Sequence, residues 1–183
     1  ILLLTGTRIG EAVALRWCDV RDEAPLARVV IAEQWRHSTQ SRAPTKTRSV
    51  REVPCHPLLA RALAWWRKRW PEWYGREPLG ADLIVPARAT RMHASVGGPR
   101  RQSRVYVSWQ SDLAGLGIAP HRLHDTRHTF VSLCADAGMD ATVAAPWTHS
   151  RVSGSSAREL YLLASWERQC AELSKLGLSI RAP

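Results

Sequence analysis

The chain has 183 residues, of which 45% are apolar and 23% charged, a composition typical of one folded globular domain. This composition excludes a protein that is disordered throughout its length. No apolar run reaches the roughly 20 residues that a membrane-spanning helix needs, which excludes an integral membrane protein. The four cysteines are scattered and form no C-x-x-C pair. This spacing excludes a zinc ribbon and predicts free thiols in a reducing compartment, the cytoplasm.

The charge is strongly positive, with 26 lysines and arginines against 16 acidic residues and a net charge of +10. Such a balance favours a polyanionic partner, with nucleic acid first among the candidates. Arginine outnumbers lysine by 23 to 3. A GC-rich genome accounts for part of that excess but not for the sign of the charge.

The amino-terminal half is predicted to contain a broken helix and a small sheet. The chain begins with apolar residues and no methionine, so we interpret it as part of a longer protein that starts inside a helix. A helix is expected over 1–16, with a kink or a division into two at Gly6 and Gly10. Residues 28–35 and 49–54 have strand composition and are predicted to pair antiparallel, joined by a polar loop over 36–48.

The second half is predicted to be largely helical. Residues 57–70 place Leu59, Ala62, Leu63, Trp66 and Trp70 at helical spacing. Residues 71–101 are expected to be mostly loop, with a short strand at 83–85. Further helices are predicted over 103–115, 122–138, 140–147, 157–164 and 166–176. The predicted fold class is mainly α with a small antiparallel sheet (α+β).

Four segments carry residues suited to phosphate chemistry. They are Thr5-Gly6-Thr7-Arg8-Ile9-Gly10-Glu11, the Lys46 segment between the predicted strands, His124-Asp125-Thr126-Arg127-His128-Thr129, and Trp147-Thr148-His149-Ser150 with Tyr161 twelve residues after the histidine. Two arginines can hold a phosphate and neutralise the charge of a pentavalent transition state. A tyrosine hydroxyl can attack phosphorus, and a lysine can protonate the leaving oxygen.

Each residue also has a simpler interpretation when it is taken alone. Arg8 could be a surface residue paired with Glu11 three positions away. Tyr161 could be a core residue in an apolar run. His124 and His128, spaced i, i+4 on one predicted helix face, could bind a metal, but Arg127 would then place a cation beside it.

The motifs, in this order, resemble the catalytic domain of tyrosine recombinases, the lambda-type phage integrases, over about residues 1–165. The resemblance implies that Arg8 and Arg127 clamp the scissile phosphate and that Lys46 is the general acid. It pairs His124 with Arg127 and gives His149 the support of the phosphate. It makes Tyr161 the nucleophile that forms a 3′-phosphotyrosine, with Glu11 and His128 as supporting residues.

What the resemblance implies for the whole chain is equally specific. Residues 1–183 are expected to be one catalytic domain without the family's core-binding domain, and 166–183 its carboxy-terminal helix and tail. The partners would be double-stranded DNA and further copies of the chain, a tetramer on DNA, in the cytoplasm of a bacterium or as a phage product. No cofactor and no metal site are implied.

The sequence departs from the family's pattern at two points. Thr148 stands where the family usually has glycine before the histidine, and Tyr161 follows His149 by twelve residues where nine are common. The serine- and glycine-rich stretch 153–156 would absorb the extra length.

Three assignments stay open at this stage. Arg100, Arg101 and Arg104 are candidate contacts to the DNA backbone or members of a solvated basic face. Helix 166–176 packs either on its own domain or on a neighbouring copy. The alternative functions are a type IB topoisomerase-like activity, a non-catalytic DNA-binding remnant, and a metal-dependent nuclease built on His124 and His128.

Overall fold

The computed structural model describes residues 1–45, 49–87, 97–148 and 164–179. The helices in these ranges are α1 (Leu2–Thr5), α2 (Ile9–Ala12), α3 (Pro57–Tyr74), α4 (Gln102–Gly115), α5 (Asp125–Asp136), α6 (Ala141–Thr148) and α7 (Trp166–Ser174), with a 3-10 turn at Trp17–Asp19. The strands are β1 (Val20–Arg21), β2 (Arg28–Ile31), β3 (Glu33–Arg36), β4 (Ser41–Pro44) and β5 (Arg51–Pro54). The predicted α+β class with a small antiparallel sheet is confirmed.

The strands form two antiparallel sheets in place of the single sheet that the sequence predicts. One sheet has the order β1-β2-β5 and the other is the hairpin β3-β4. In the first, Val29 lies opposite Val53 and Ile31 opposite Arg51. The predicted strand 28–35 is therefore divided at Ala32, because its first half is buried between layers whereas its second half pairs near the surface.

The prediction that 36–48 is a loop is wrong for Arg36 and for β4. Backbone pairing with β3 orders this polar stretch, with Trp35 opposite Arg42. Arg42 also donates to the backbone carbonyl of Ala14 and forms an ion pair of 3.3 Å with Glu33. The strand pairs join residues five to eleven positions apart, and the bond from Arg42 to Ala14 joins residues 28 positions apart, so the composition of the stretch alone did not indicate them.

Helix α3 buries Leu59, Leu63 and Trp70 of the predicted apolar stripe, leaves Ala62 exposed, and continues past Pro71 to Tyr74. Aromatic packing supports the extra turn, since the ring centroids of Trp70 and Tyr74 lie 4.4 Å apart. Gly75 ends the helix with a φ of 68°. The predicted strand at 83–85 is reduced to a single bridge between Arg16 and Leu83.

The remaining helices agree with the predictions apart from their ends. Residues 1–16 form the two short helices α1 and α2, separated by the turn that contains Gly6. Helix α5 begins at Asp125, three residues later than predicted. The predicted helix at 157–164 lies outside the described residues except for Ala164, which is not helical. None of the described helices is both long and apolar enough to cross a bilayer.

One cluster of buried side chains joins the sheet to the helices. Its members come from strands β2 and β5 and from several helices, and include Leu15, Val29, Val53, Leu59, Phe130, Trp147 and Leu173. Helix α1 packs on α5, and α6 packs on both α7 and β5. These contacts bring the Arg8 turn, the start of α5 and the end of α6 to the same side of the core.

Helix α7 packs on the core of its own chain. Leu173 is fully buried in the core. The indole N–H of Trp147 donates to Gln169 at 3.0 Å, and that of Trp166 donates to the carbonyl of Leu26 at 3.3 Å. The guanidinium of Arg28 also stacks over the Trp166 ring at 4.0 Å.

Candidate active site

A tight turn between α1 and α2 positions Arg8. Gly6 ends α1 in the left-handed conformation, with a φ of 60°, and its N–H donates to the carbonyl of Leu2 at 3.0 Å. Arg8 precedes α2, where its backbone N–H donates to the Glu11 carboxylate at 2.7 Å. The Arg8 guanidinium contacts the same carboxylate at 3.4 Å and remains 35% exposed. Local sequence therefore orients Arg8 while leaving part of its guanidinium open to solvent.

The Glu11 carboxylate is buried between two arginines. Arg51 on β5 donates to both of its oxygens, at 3.1 and 2.5 Å, while Arg8 contacts it from the other side. Burial by itself would raise the pKa of Glu11, but the hydrogen bonds and charge of Arg51, with a smaller contribution from Arg8, bring the pKa below its ordinary value. Glu11 is thus ionised at neutral pH despite its burial.

Arg127 lies in the first turn of α5 and is buried, with 5% of its surface exposed. One terminal nitrogen, Nη1, donates to the backbone carbonyl of Gly6. The other, Nη2, is buried without a hydrogen-bond partner among the described residues. Burial, followed by the charges of Arg8 and Arg51, lowers the pKa of Arg127 to about 10, so it stays protonated at neutral pH. A buried, charged donor without an acceptor is costly unless an anion can reach it.

His124 lies at the amino-terminal end of α5, and its ring meets the ring of His128 edge to face with 5.0 Å between centroids. Desolvation, the electrostatic influence of the neighbouring His128 ring, and the positive charge of Arg127 lower the pKa of His124. The ring is therefore neutral at pH 7. Among the described residues, no three histidine, cysteine or acidic side chains are grouped as a metal site would require.

Arg8 and His124 line a shallow pocket of about 240 Å³. Its other walls include Thr7, Gln34 and Gln102. The pocket therefore combines a partly exposed guanidinium, a neutral imidazole and amide groups, all of which can donate hydrogen bonds to phosphate oxygens.

Three of the sequence-predicted catalytic residues, Lys46, His149 and Tyr161, lie outside the described residues. Their neighbours in the chain are described. Thr45, before Lys46, is buried and its hydroxyl donates to the carbonyl of Ser49 at 2.8 Å. Thr148, before His149, is 2% exposed at the end of α6 and packs against Gly6.

The candidate DNA-backbone arginines lie around the start of α4. Arg101 and Arg104 are exposed, whereas Arg100 is partly buried and donates to the Ser108 hydroxyl at 3.3 Å. Arg101 directly precedes Gln102, a residue of the pocket wall, which places one exposed cation next to the pocket in the chain. His128 is also exposed, one helical turn after His124.

Sequence reasoning missed Arg51. A signal for it existed, because Arg51 and Val53 are two residues apart and share one face of β5. Val53 is fully buried, so an arginine on the same face requires a buried anion, which Glu11 supplies. Without the tertiary contact, however, Arg51 resembled any other cation of this basic chain.

One family model matches most of the chain. The model of the phage integrase family matches residues 1–154. The chain belongs to the phage integrase family. Membership confirms the resemblance to tyrosine recombinases inferred from the motifs and connects the chain with DNA recombination and integration. The matched region includes Arg8, Lys46, Arg127 and His149 and ends before Tyr161.

Solved structures show the same fold. The integrase of the transposon Tn1549 in complex with transposon right end DNA is 20% identical, with a TM-score of 0.60 over 97% of this chain and 57% of that one. The same integrase with circular intermediate DNA is 21% identical, with a TM-score of 0.60 over 96% of this chain and 57% of that one. The chain thus spans little more than half the length of those integrase chains. No curated protein matches it in sequence.

Proposed function

We propose that this chain is the catalytic domain of a site-specific DNA recombinase that breaks and rejoins double-stranded DNA through a 3′-phosphotyrosine intermediate. The catalytic residues in this proposal are Arg8, Lys46, His124, Arg127, His149 and Tyr161, with Glu11 and His128 in support. Membership of the phage integrase family supports the reaction class. The DNA complexes of the Tn1549 integrase support DNA as the substrate.

The observation that carries the proposal is the pair of arginines around one turn. Arg8 is partly exposed at the pocket, and Arg127 holds the Gly6 carbonyl with one nitrogen while its Nη2 has no acceptor among the described residues. A phosphate at this turn would satisfy Nη2 and bring a compensating negative charge to the buried guanidinium. As charge accumulates on the phosphate oxygens, the same donors stabilise the transition state without having to reorganise.

The proposed reaction conserves the number of phosphate ester bonds. The Tyr161 oxygen attacks the phosphorus, the bond to the 5′-oxygen breaks, and a 3′-phosphotyrosine forms. The tyrosine proton passes to a neutral base, a role that the His124 imidazole can fill because it lines the same pocket as Arg8. Lys46 protonates the departing 5′-oxygen. Attack by a 5′-hydroxyl reverses these steps, so rejoining needs no external energy source.

A covalent-adduct assay tests this function. The chain and its Tyr161→Phe variant are incubated with supercoiled plasmid in EDTA, denatured, and examined for protein attached to a 3′ DNA end. We expect the parent chain to form an adduct and Tyr161→Phe to form none while retaining DNA binding. Tyr106→Phe is the matched control, because Tyr106 is an exposed tyrosine on α4, 46% accessible.

The outcomes separate the alternatives. Adduct formation by Tyr161→Phe at the parent level would remove Tyr161 as the nucleophile. Salt-sensitive DNA binding with no adduct in any variant would instead favour a DNA-binding remnant. Plasmid relaxation without pairing of two DNA sites would favour a type IB topoisomerase-like activity. Strand cleavage that EDTA abolishes would favour the metal-dependent nuclease.

The proposal extends to the assembly. We infer that residues 1–183 act as one catalytic domain, since a single buried cluster includes Leu15 near one end and Leu176 near the other. Arg100, Arg101 and Arg104 would contact the DNA backbone beside the pocket. Strand exchange between two duplexes involves four strands, so a homotetramer on DNA, in the cytoplasm, is the expected active form.

A further inference from the structure

Arg51 is a buried arginine whose hydrogen bonds connect three segments of the candidate site. Its side chain is 6% exposed. The two terminal nitrogens donate to the Glu11 oxygens at 3.1 and 2.5 Å, and Nε donates to the backbone carbonyl of Trp147 at 2.8 Å. It therefore joins β5 to α2, which follows Arg8, and to the end of α6.

The Glu11 carboxylate is shared unequally between two arginines. Arg51 binds it with two short hydrogen bonds in the forked geometry that suits a guanidinium and a carboxylate. Arg8 contacts only one of its oxygens with its side chain, at 3.4 Å, and is 35% exposed where Arg51 is almost enclosed. Arg51 is thus the principal counter-ion of Glu11, and Arg8 is the weaker one.

We propose that Arg51 is a positioning residue that occupies the Glu11 carboxylate and thereby leaves the Arg8 guanidinium available to bind a phosphate. The proposal rests on the proposed function, because it concerns the same phosphate site. A buried carboxylate without its partner is strongly unfavourable. If Arg51 were absent, Arg8 would be the remaining guanidinium in direct contact with Glu11 among the described residues, and the carboxylate would compete with phosphate for it.

A different result is expected if Arg51 and Glu11 form an ion pair that only stabilises the fold. Loss of Arg51 would then lower stability but would leave the anion affinity of the folded protein unchanged. Under the proposal, the loss of anion affinity depends on Glu11, so removing the carboxylate as well restores it. The coupling between the two positions is therefore the quantity to measure.

The experiment titrates inorganic sulfate into the chain at neutral pH, without DNA, and follows the ring signals of His124 and His128 by NMR. Because sulfate is doubly charged at neutral pH, it is a suitable probe of a phosphate site. We expect Arg51→Gln to weaken sulfate binding about tenfold or more, the effect expected of a lost charged hydrogen bond. Arg51→Gln/Glu11→Gln is expected to return to within about threefold of the parent, the range of a weak exposed pair.

Arg28→Gln is the matched control for net charge. Arg28 also pairs with a glutamate, Glu52, but lies at the other end of the β2–β5 ladder, opposite Pro54. Three residues along a strand separate it from the Arg51 end by about 10 Å. We expect Arg28→Gln to change sulfate affinity by about twofold or less, since a screened charge at that distance acts weakly.

Arg51→Lys keeps the test decisive if Arg51→Gln does not fold. Lysine retains the charge but loses the fork, so it occupies only part of the Glu11 carboxylate. We expect sulfate affinity to fall about threefold in Arg51→Lys and to return to the parent value in Arg51→Lys/Glu11→Gln, whereas a purely structural ion pair predicts no loss. Three results would overturn the proposal: no sulfate binding by the parent chain, parent affinity in Arg51→Gln, or a double variant as weak as Arg51→Gln alone. Sulfate binding involves no strand cleavage, so these results are independent of the adduct assay that tests the function.

Discussion

Gly6 offers the sharpest test of how the active-site turn is built. It ends α1 with a φ of 60°, and a Cβ built there would lie 2.5 Å from Cγ2 of Thr148 and 2.6 Å from Cδ1 of Phe130. Both neighbours are buried, Phe130 at 1% and Thr148 at 2% exposure. Gly6→Ala therefore combines backbone strain with overpacking in one methyl group.

The magnitude follows from the two contributions. A left-handed conformation costs an alanine about 1–2 kcal/mol. Overpacking a tightly filled core costs about 1–3 kcal/mol, because neighbours at crystal-like density yield little. We therefore expect Gly6→Ala to lower the free energy of unfolding by about 2–5 kcal/mol, a large part of the roughly 5–15 kcal/mol typical of a domain.

Urea unfolding of Gly6→Ala and Gly75→Ala provides the measurement and its control. Gly75 also has a positive φ, 68°, but a Cβ there would meet no atom within 4 Å. Gly75→Ala should therefore cost only the strain, about 1–2 kcal/mol. Since Gly6 also accepts the hydrogen bond of Arg127, Gly6→Ala should reduce sulfate affinity and adduct formation, whereas Gly75→Ala should leave both unchanged.

Equal costs for the two substitutions would refute the packing argument. A Gly6→Ala variant as stable as the parent would refute the strain argument as well. In a Thr148→Ser background, which removes Cγ2, we expect part of the difference between the two glycines to disappear. The Phe130 contact at 2.6 Å accounts for the part that remains.

Three further predictions concern titratable groups. The pKa of Glu11 is lowered, mainly because the hydrogen bonds from Arg51 outweigh burial, so its ionised form stabilises the fold above about pH 4.3 and this contribution is lost as the pH falls through the folded pKa. The stability advantage of the parent over Glu11→Gln in urea unfolding should therefore shrink below that pH, and an advantage that grows there would contradict the assignment. Partial desolvation, the His128 ring and nearby arginines lower the pKa of His124, so its NMR titration should have a midpoint below about 6.5 and shift upward in His128→Asn; no shift would remove His128 as a cause. Burial raises the pKa of Cys55 and Cys134 to about 11, so iodoacetamide at pH 8 should label the exposed Cys18 first and these two only after unfolding in guanidinium; rapid labelling of the native buried thiols would show that they are accessible.

Several features of this protein were already determined by short-range sequence patterns. The i, i+3, i+4 spacing from Leu59 to Trp70 predicts α3, because one stripe of a helix must be buried. Gly6 was predicted to kink or divide the first helix, and it ends α1 in the left-handed conformation that glycine favours. Arg8 and Glu11 interact across one turn, so their contact also follows from spacing. The order of the four motifs is sufficient to indicate the family.

Other features depended on contacts between distant segments. Residues 28–35 read as one strand, but the division at Ala32 arises because each half pairs with a different partner strand. Helix α7 is held on the core of its own chain by the burial of Leu173 and by the hydrogen bond from Trp147 to Gln169. The strand that pairs with each half, and the surface that α7 packs against, cannot be identified from the sequence of the segment alone.

The charged residues of the active site show most clearly which features local sequence indicates and which depend on tertiary contacts. The sequence by itself supplied Arg8, Glu11 and Arg127 as candidates, because their motifs are local. Only the tertiary structure placed Arg51 on Glu11, forty residues away in the chain, and left Nη2 of Arg127 buried without an acceptor among the described residues. The physical reason is that a buried charge is tolerated only where another part of the chain compensates it, and that compensation is a property of the folded core.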